Sequence, residues 1–182
     1  MIVTGIAHPP VRLHERSELP SSELVYLAKM ALKTYGATHL ITSLAQGWEQ
    51  ALTKAAIELQ IPYTVAIPFP GRDADWKREA RLLYLDLLAR ACDVYRVSEE
   101  WSENAVMEGH FWRVDRAELL LALWDFEFQG DTFQTMSYGL QNDLKVVNLW
   151  NDWSHLYNLR RVRPAVSIQN RKVGAQVFGD PV

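Results

Sequence analysis

Three short segments of this sequence hold the residue types that grip phosphorylated ligands. They are Thr4-Gly5-Ile6-Ala7-His8, Thr42-Ser43-Leu44-Ala45-Gln46-Gly47-Trp48-Glu49, and Asp125 through Gly130-Asp131-Thr132. Each lies where an extended apolar stretch gives way to small residues, hydroxyls and glycine. Glycine lets the backbone approach a ligand closely and reach positive φ. The start of a helix presents unpaired N–H groups and partial positive charge, which suit a phosphate. Gly5, Ser43, Gln46, Gly47, Gly130 and Thr132 are therefore candidate ligand contacts. Thr132 is expected to cap its helix and to offer its hydroxyl to the same anion. His8 is the histidine beside a candidate loop. Asp131 is the awkward member, because a carboxylate in a phosphate loop opposes the anion unless its side chain turns away.

Glu49 and Asp125 flank two of these junctions. Carboxylates there compensate a helix dipole or cap a loop. The same positions suit hydrogen bonding to ribose hydroxyls or general acid/base work, so both are candidate catalytic groups. His14, His39, His110 and His155 show no metal-ligand spacing, and no metal site is expected. G-x-S-x-G, C-x-x-C and Walker patterns do not occur, which leaves nucleophilic and NTPase chemistry without support. Trp112, Trp124 and Trp150 are expected in the core. Trp48 and Trp76 lie near candidate loops and could stack on a base, although core packing is the expected role for each.

The elements that must position these loops alternate along the chain. Strands are expected at 2–5, 39–42, 62–68, 94–97, 119–124 and 146–149. Helices are expected from Ser21 or Ser22 to Gly36, from Gly47 to Gln60, from Trp76 to Ala91, from a Ser102 cap to Asp115, and from Thr132 to Leu140. From Leu156 onward the pattern is weak, with short edge strands expected at 165–168 and 172–178. Strands alternating with helices imply right-handed crossovers and a mostly parallel sheet covered on both faces. A central parallel strand is buried on both sides, which is why Leu119 to Leu123 need not alternate. The polar stop at Asp125, followed by glycine and a helix, falls where open α/β sheets bind ligands.

Cys92 stands alone, so no disulfide framework exists and a reducing cytoplasm is expected. No apolar run approaches a membrane span, and no signal peptide is visible. Residues 1–150 carry 14 Lys/Arg against 20 Asp/Glu, whereas 151–182 carry five basic residues against Asp152 and Asp180. The body is a poor electrostatic match for nucleic acid. The basic segment, with Arg160, Arg161 and Arg163, is expected to pack back on the domain as an extension.

The order of motifs resembles the YpsA/DUF1273 branch of the SLOG superfamily, which also contains the DprA/Smf and LOG proteins. The matching pieces are Thr4-Gly5, Gly47-Trp48-Glu49, Ile67-Pro68-Phe69 with Trp76, Phe111-Trp112-Arg113-Val114-Asp115, and Leu123-Trp124-Asp125 with Gly130-Asp131-Thr132, over residues 1–150. The resemblance implies a Rossmann-like three-layer sandwich. It also implies a nucleotide-derived ligand such as ADP-ribose, NAD or a nucleoside monophosphate, held through Gly5, Gly47, Glu49, Gly130 and Thr132, with Asp115 in support. Three places depart from the family pattern: Ser43-Leu44-Ala45-Gln46, Gly109-His110 and Asp131. The LOG phosphoribohydrolases carry a glutamate where this chain has Thr135, which argues against the same hydrolysis. Binding or sensing of a small nucleotide is the leading expectation. An N-glycosidase using Glu49 or Asp125 and a DprA-like nucleic-acid or protein interaction module are the alternatives. A homo-oligomer is left open.

Overall fold

Strands and helices alternate without a break in the computed structural model, which describes residues 1–162 apart from Arg16 and Glu103. The strands are β1 (Ile2–Ala7), β2 (His39–Thr42), β3 (Tyr63–Ile67), β4 (Asp93–Arg96), β5 (Leu119–Leu123) and β6 (Lys145–Asn148). The helices are α1 (Ser22–Thr34), α2 (Trp48–Glu58), α3 (Arg78–Ala89), α4 (Ala105–Val114), α5 (Gly130–Gln141) and α6 (Trp150–Val162). All strand pairs are parallel, and the sheet runs β4-β3-β2-β1-β5-β6. The chain thus steps outward from β1 to β4, crosses back through α4, and continues from β5 to β6. Right-handed crossovers then put α1, α2 and α3 on one face and α4 and α5 on the other. The packing of α1 on α2, α2 on α3 and α4 on α5 agrees. This is a Rossmann-like three-layer α/β fold.

Leu119 to Leu123 are wholly buried, and they divide between two cores. Leu119, Leu121 and Leu123 join Val3, Leu52 and Trp48 on the α1–α2 side, while Leu120 and Ala122 join Ile6, Val114 and Met136 on the α4–α5 side. A period of two is present, but both faces are apolar, so the strand reads as one unbroken run.

Several element ends differ from expectation. β1 extends to Ala7, because its ladder with β5 continues to the Ala7–Leu123 pair. α4 begins at Ala105 with Asn104 at the cap position, so Ser102 caps nothing; its carbonyl instead accepts the Ala105 N–H. α5 begins at Gly130, two residues early, with Gln129 at the cap position. Thr132 therefore sits inside the first turn and is not the cap. α1 starts as read, with the Ser21 hydroxyl accepting the Leu24 N–H at 3.2 Å. α6 is an element that the weak sequence pattern does not announce. Its Trp153 is buried and donates its indole N–H to the Leu13 carbonyl, and the helix packs on α1. The edge strands expected at 165–168 and 172–178 lie outside the described residues, as do the side chains of the basic segment.

Gly5 serves the fold. A Cβ there would fall 2.3 Å from Leu52 Cδ1 and 3.3 Å from Trp48 Nε1, so the missing side chain lets α2 lie close against β1. Gly5→Ala should lower stability by about 1–3 kcal/mol in urea denaturation, the usual cost of overpacking a well-filled interior. A loss below about 0.5 kcal/mol would mean that α2 has room to move.

Candidate functional site

Strand order reverses between β1 and β5, since β1 continues toward β2 on one side while β5 continues toward β6 on the other. The loops leaving their carboxyl ends must diverge, and a crevice opens between them. It is a cleft of about 500 Å³ whose walls come from the loops after β1, β2, β3 and β5 and from α4. His8, Gln46, Glu49, Gly130, Asp131 and Thr132 line it. The other four candidates lie behind that wall. Gly5 faces α2. Gly47 takes φ +82 at the start of α2 and faces Pro10. Ser43 and Asp125 orient residues that do reach the cleft.

Glu49 is buried at 3 % exposure at the floor of this site. Its Oε2 accepts from the Ser43 N–H at 2.6 Å, the Ser43 hydroxyl at 2.9 Å and the Thr42 hydroxyl at 3.2 Å. Its Oε1 lies 3.1 Å from Nη2 of Arg113, itself 1 % exposed. The contact is an ion pair by distance, but the N–H is not aligned on the oxygen, so Nη2 has no hydrogen-bond acceptor. The other guanidinium donors reach the carbonyls of Gly5 and Gly109 and the Thr4 hydroxyl. Burial alone pushes the Glu49 carboxyl up. The charge of Arg113, with Arg72 and the Ser43 N–H, outweighs it and holds the group below the usual carboxylate range.

Asp125 lies behind the part of the wall that His8 and Arg12 form. Its Oδ1 accepts from His8 Nε2 at 2.8 Å, and its Oδ2 accepts from Arg12 Nε at 2.8 Å. Arg12 also pairs with Glu127. Burial raises the Asp125 carboxyl, but Arg12 and His8 pull it below its ordinary value. Burial lowers His8 despite the neighbouring carboxylate. A proton shared by this pair therefore stays on His8 Nε2, with Asp125 ionised and the imidazole neutral.

Three further residues complete the site, and none is among the ligand candidates read from the sequence. Arg72, in the loop after β3, donates to the Ser43 carbonyl at 2.8 Å and lies over the Trp76 ring at 5.6 Å. His110, on α4, has Nδ1 3.0 Å from the Thr135 hydroxyl. Burial, together with the charge of Arg113, pushes the His110 imidazole down to about 3. Arg113 is the third. No spacing singles out His110 or Arg113, but Gly109 beside them marks a close approach, since a Cβ there would meet Pro68 at 2.9 Å. That close approach brings α4 onto the loop after β3. Trp48 does not face the cleft; it is buried and donates its indole N–H to the Leu121 carbonyl at 3.0 Å. Trp76 does line it. Among the described residues no group of three His, Cys, Asp or Glu side chains is placed to hold a metal ion, and no helix is long and apolar enough to cross a membrane.

No protein-family model and no curated protein sequence matches this chain. Among solved structures, the X-ray structure of DNA processing protein A (DprA) from Streptococcus pneumoniae is similar, with a TM-score of 0.55 and 11% sequence identity. The likeness covers 88% of this chain and 56% of that one, so the chain spans little more than half the length of that protein. What the two share is the Rossmann-like fold.

Proposed function

We propose that this chain is a SLOG-type Rossmann-like domain, of the YpsA/DUF1273 kind, that binds or senses a nucleotide-derived small molecule in the cleft between β1 and β5. One observation carries the reading: the first turn of α5, Gly130-Asp131-Thr132, opens into the cleft at the point where strand order reverses, with Arg72 on the same cleft. Backbone N–H groups and a guanidinium in one concavity form a donor set for a phosphate. Gly130 takes φ +80, and a Cβ there would meet nothing within 4 Å, so the glycine serves backbone conformation and leaves space beside the helix start. Asp131 is exposed in the first turn of the helix, where its charge favours the dipole.

Glu49 and Asp125 are both held ionised by the cations around them, which suits positioning work better than proton donation. We assign them that role rather than glycosidase chemistry. ADP-ribose, NAD and a nucleoside monophosphate are the ligands to test. The acidic body speaks for a small ligand over nucleic acid, and the lone cysteine for a cytoplasmic setting.

Calorimetric titration with AMP, ADP-ribose and NAD is the test, joined to native mass spectrometry of freshly purified protein for a retained nucleotide. Thr132→Ala should weaken binding about tenfold or more, since a hydrogen bond to a charged group is worth roughly 1.5–3 kcal/mol. Binding of none of the three compounds would end this reading. Unchanged affinity in Thr132→Ala would remove the α5 turn from the site.

A further inference from the structure

His8 and His110 line the same cleft, at 5 % and 9 % exposure, and each has one ring nitrogen committed to the protein. Thr135 decides the tautomer of His110. Its single hydroxyl proton goes to the Asp131 carbonyl at 2.7 Å, a group that can only accept. The 3.0 Å contact between Thr135 Oγ1 and His110 Nδ1 therefore requires Nδ1 to carry the hydrogen and donate. Asp125 decides His8 in the same way, taking its hydrogen from Nε2. What remains is Nε2 of His110 and Nδ1 of His8. Neither has a hydrogen-bond partner among the described residues.

A lone pair on a neutral ring nitrogen cannot hold a phosphate oxygen, because both are acceptors. The cleft is therefore divided: donors at the α5 turn and Arg72, acceptors at the two histidines. Resting on the nucleotide reading above, we propose that His8 and His110 are a pair of hydrogen-bond acceptors that select the sugar hydroxyls of a phosphorylated ligand. A ribose phosphate has the required chemistry, with hydroxyl donors a few bonds from an anion. Both imidazoles are neutral near pH 7, since burial lowers each of them, so the lone pairs are present under ordinary conditions. A ligand without those hydroxyls displaces water from the two nitrogens and returns nothing, which is the case in which a polar site discriminates most strongly.

The test compares AMP, 2′,3′-dideoxy-AMP, inosine monophosphate and ribose 5-phosphate by calorimetry on the full chain. Removing the hydroxyls should weaken AMP binding at least tenfold. His8→Ala and His110→Leu should each weaken AMP at least tenfold while leaving the dideoxy compound within about twofold. His110→Asn, which keeps an acceptor, should recover part of the loss. The comparison of ligands on the parent protein needs no substitution and stands even if a variant fails to fold. Equal binding of AMP and its dideoxy analogue overturns the proposal. So does an AMP preference over inosine monophosphate with no hydroxyl dependence, which would put the donor on the base. Hydroxyl-dependent binding of ribose 5-phosphate without binding of AMP would keep the histidine pair and discard the nucleotide. Binding of none of the four discards both.

Discussion

Glu49→Ala should lower the free energy of unfolding by about 3–5 kcal/mol, read by urea denaturation, because it leaves the guanidinium of Arg113 buried without its counter-charge. Arg113 keeps the Thr4, Gly5 and Gly109 oxygens, so its hydrogen bonds largely survive and what is lost is charge compensation. Removing both ions in Glu49→Leu/Arg113→Met should recover most of the loss, the coupling expected of a buried pair. The pH dependence carries the same sign. Glu49 titrates below its ordinary value when folded, so its contribution is present above the unfolded value and lost as pH falls through the folded one. His110 takes up a proton below about 6.5 when unfolded but only near 3 when folded, so stability falls as pH drops across that window. Acid therefore acts on both groups in one direction. A Glu49→Ala protein of nearly parental stability that no longer binds ligand would make Glu49 a ligand group and this account wrong.

Trp48→Ala should cost about 3–5 kcal/mol, the range for emptying a buried aromatic site, and should leave nucleotide affinity within about twofold. Trp48 is 1 % exposed, packs over Gly5 and ties α2 to β5 through the Leu121 carbonyl. The adjacent Gly47 made a base-stacking role conceivable from the sequence, and the geometry turns the ring inward. Trp76 is the contrasting case, on the cleft and beside Arg72. Circular dichroism melts of Trp48→Ala and titrations of the same preparation read both quantities. A stable variant with tenfold weaker binding would return Trp48 to the site.

The strand–helix alternation and the parallel sheet were legible because Leu119 to Leu123, Tyr63 to Ile67 and the helical stripe of α1 are local patterns set by burial. The loops at the strand ends were legible through glycine and hydroxyl chemistry. α6 is hard to read from the sequence: Trp150, Trp153, Leu156 and Tyr157 mark one helical face, but the charged residues after them blur the period. The Ser102 cap failed because the chain does not turn helical until Ala105. The inner site was illegible for a different reason. The partner of Glu49 is Arg113 and the partner of His110 is Thr135, and nothing in a single chain's local pattern announces a contact between separate elements. Gly5 shows how one residue type serves two ends. The same glycine that fits a phosphate loop also fits a close helix approach, and only the neighbouring atoms separate them.

The strand order has a consequence for how the molecule comes to exist. β1 is a central strand, and one of its two edges pairs with β5, where Val3 meets Leu119. Everything from α1 to α4 must be made, and α4 must cross the sheet, before that edge is closed. Until then β1 offers a row of unpaired backbone groups on a segment with two apolar faces, the kind of template that recruits other chains. Contacts this distant along the chain form slowly, since loop closure must precede the energy they return. The N-terminal half thus carries a period of exposure during synthesis that ends only when Leu119 to Leu123 arrive, a period in which crowding of partly made chains favours aggregation.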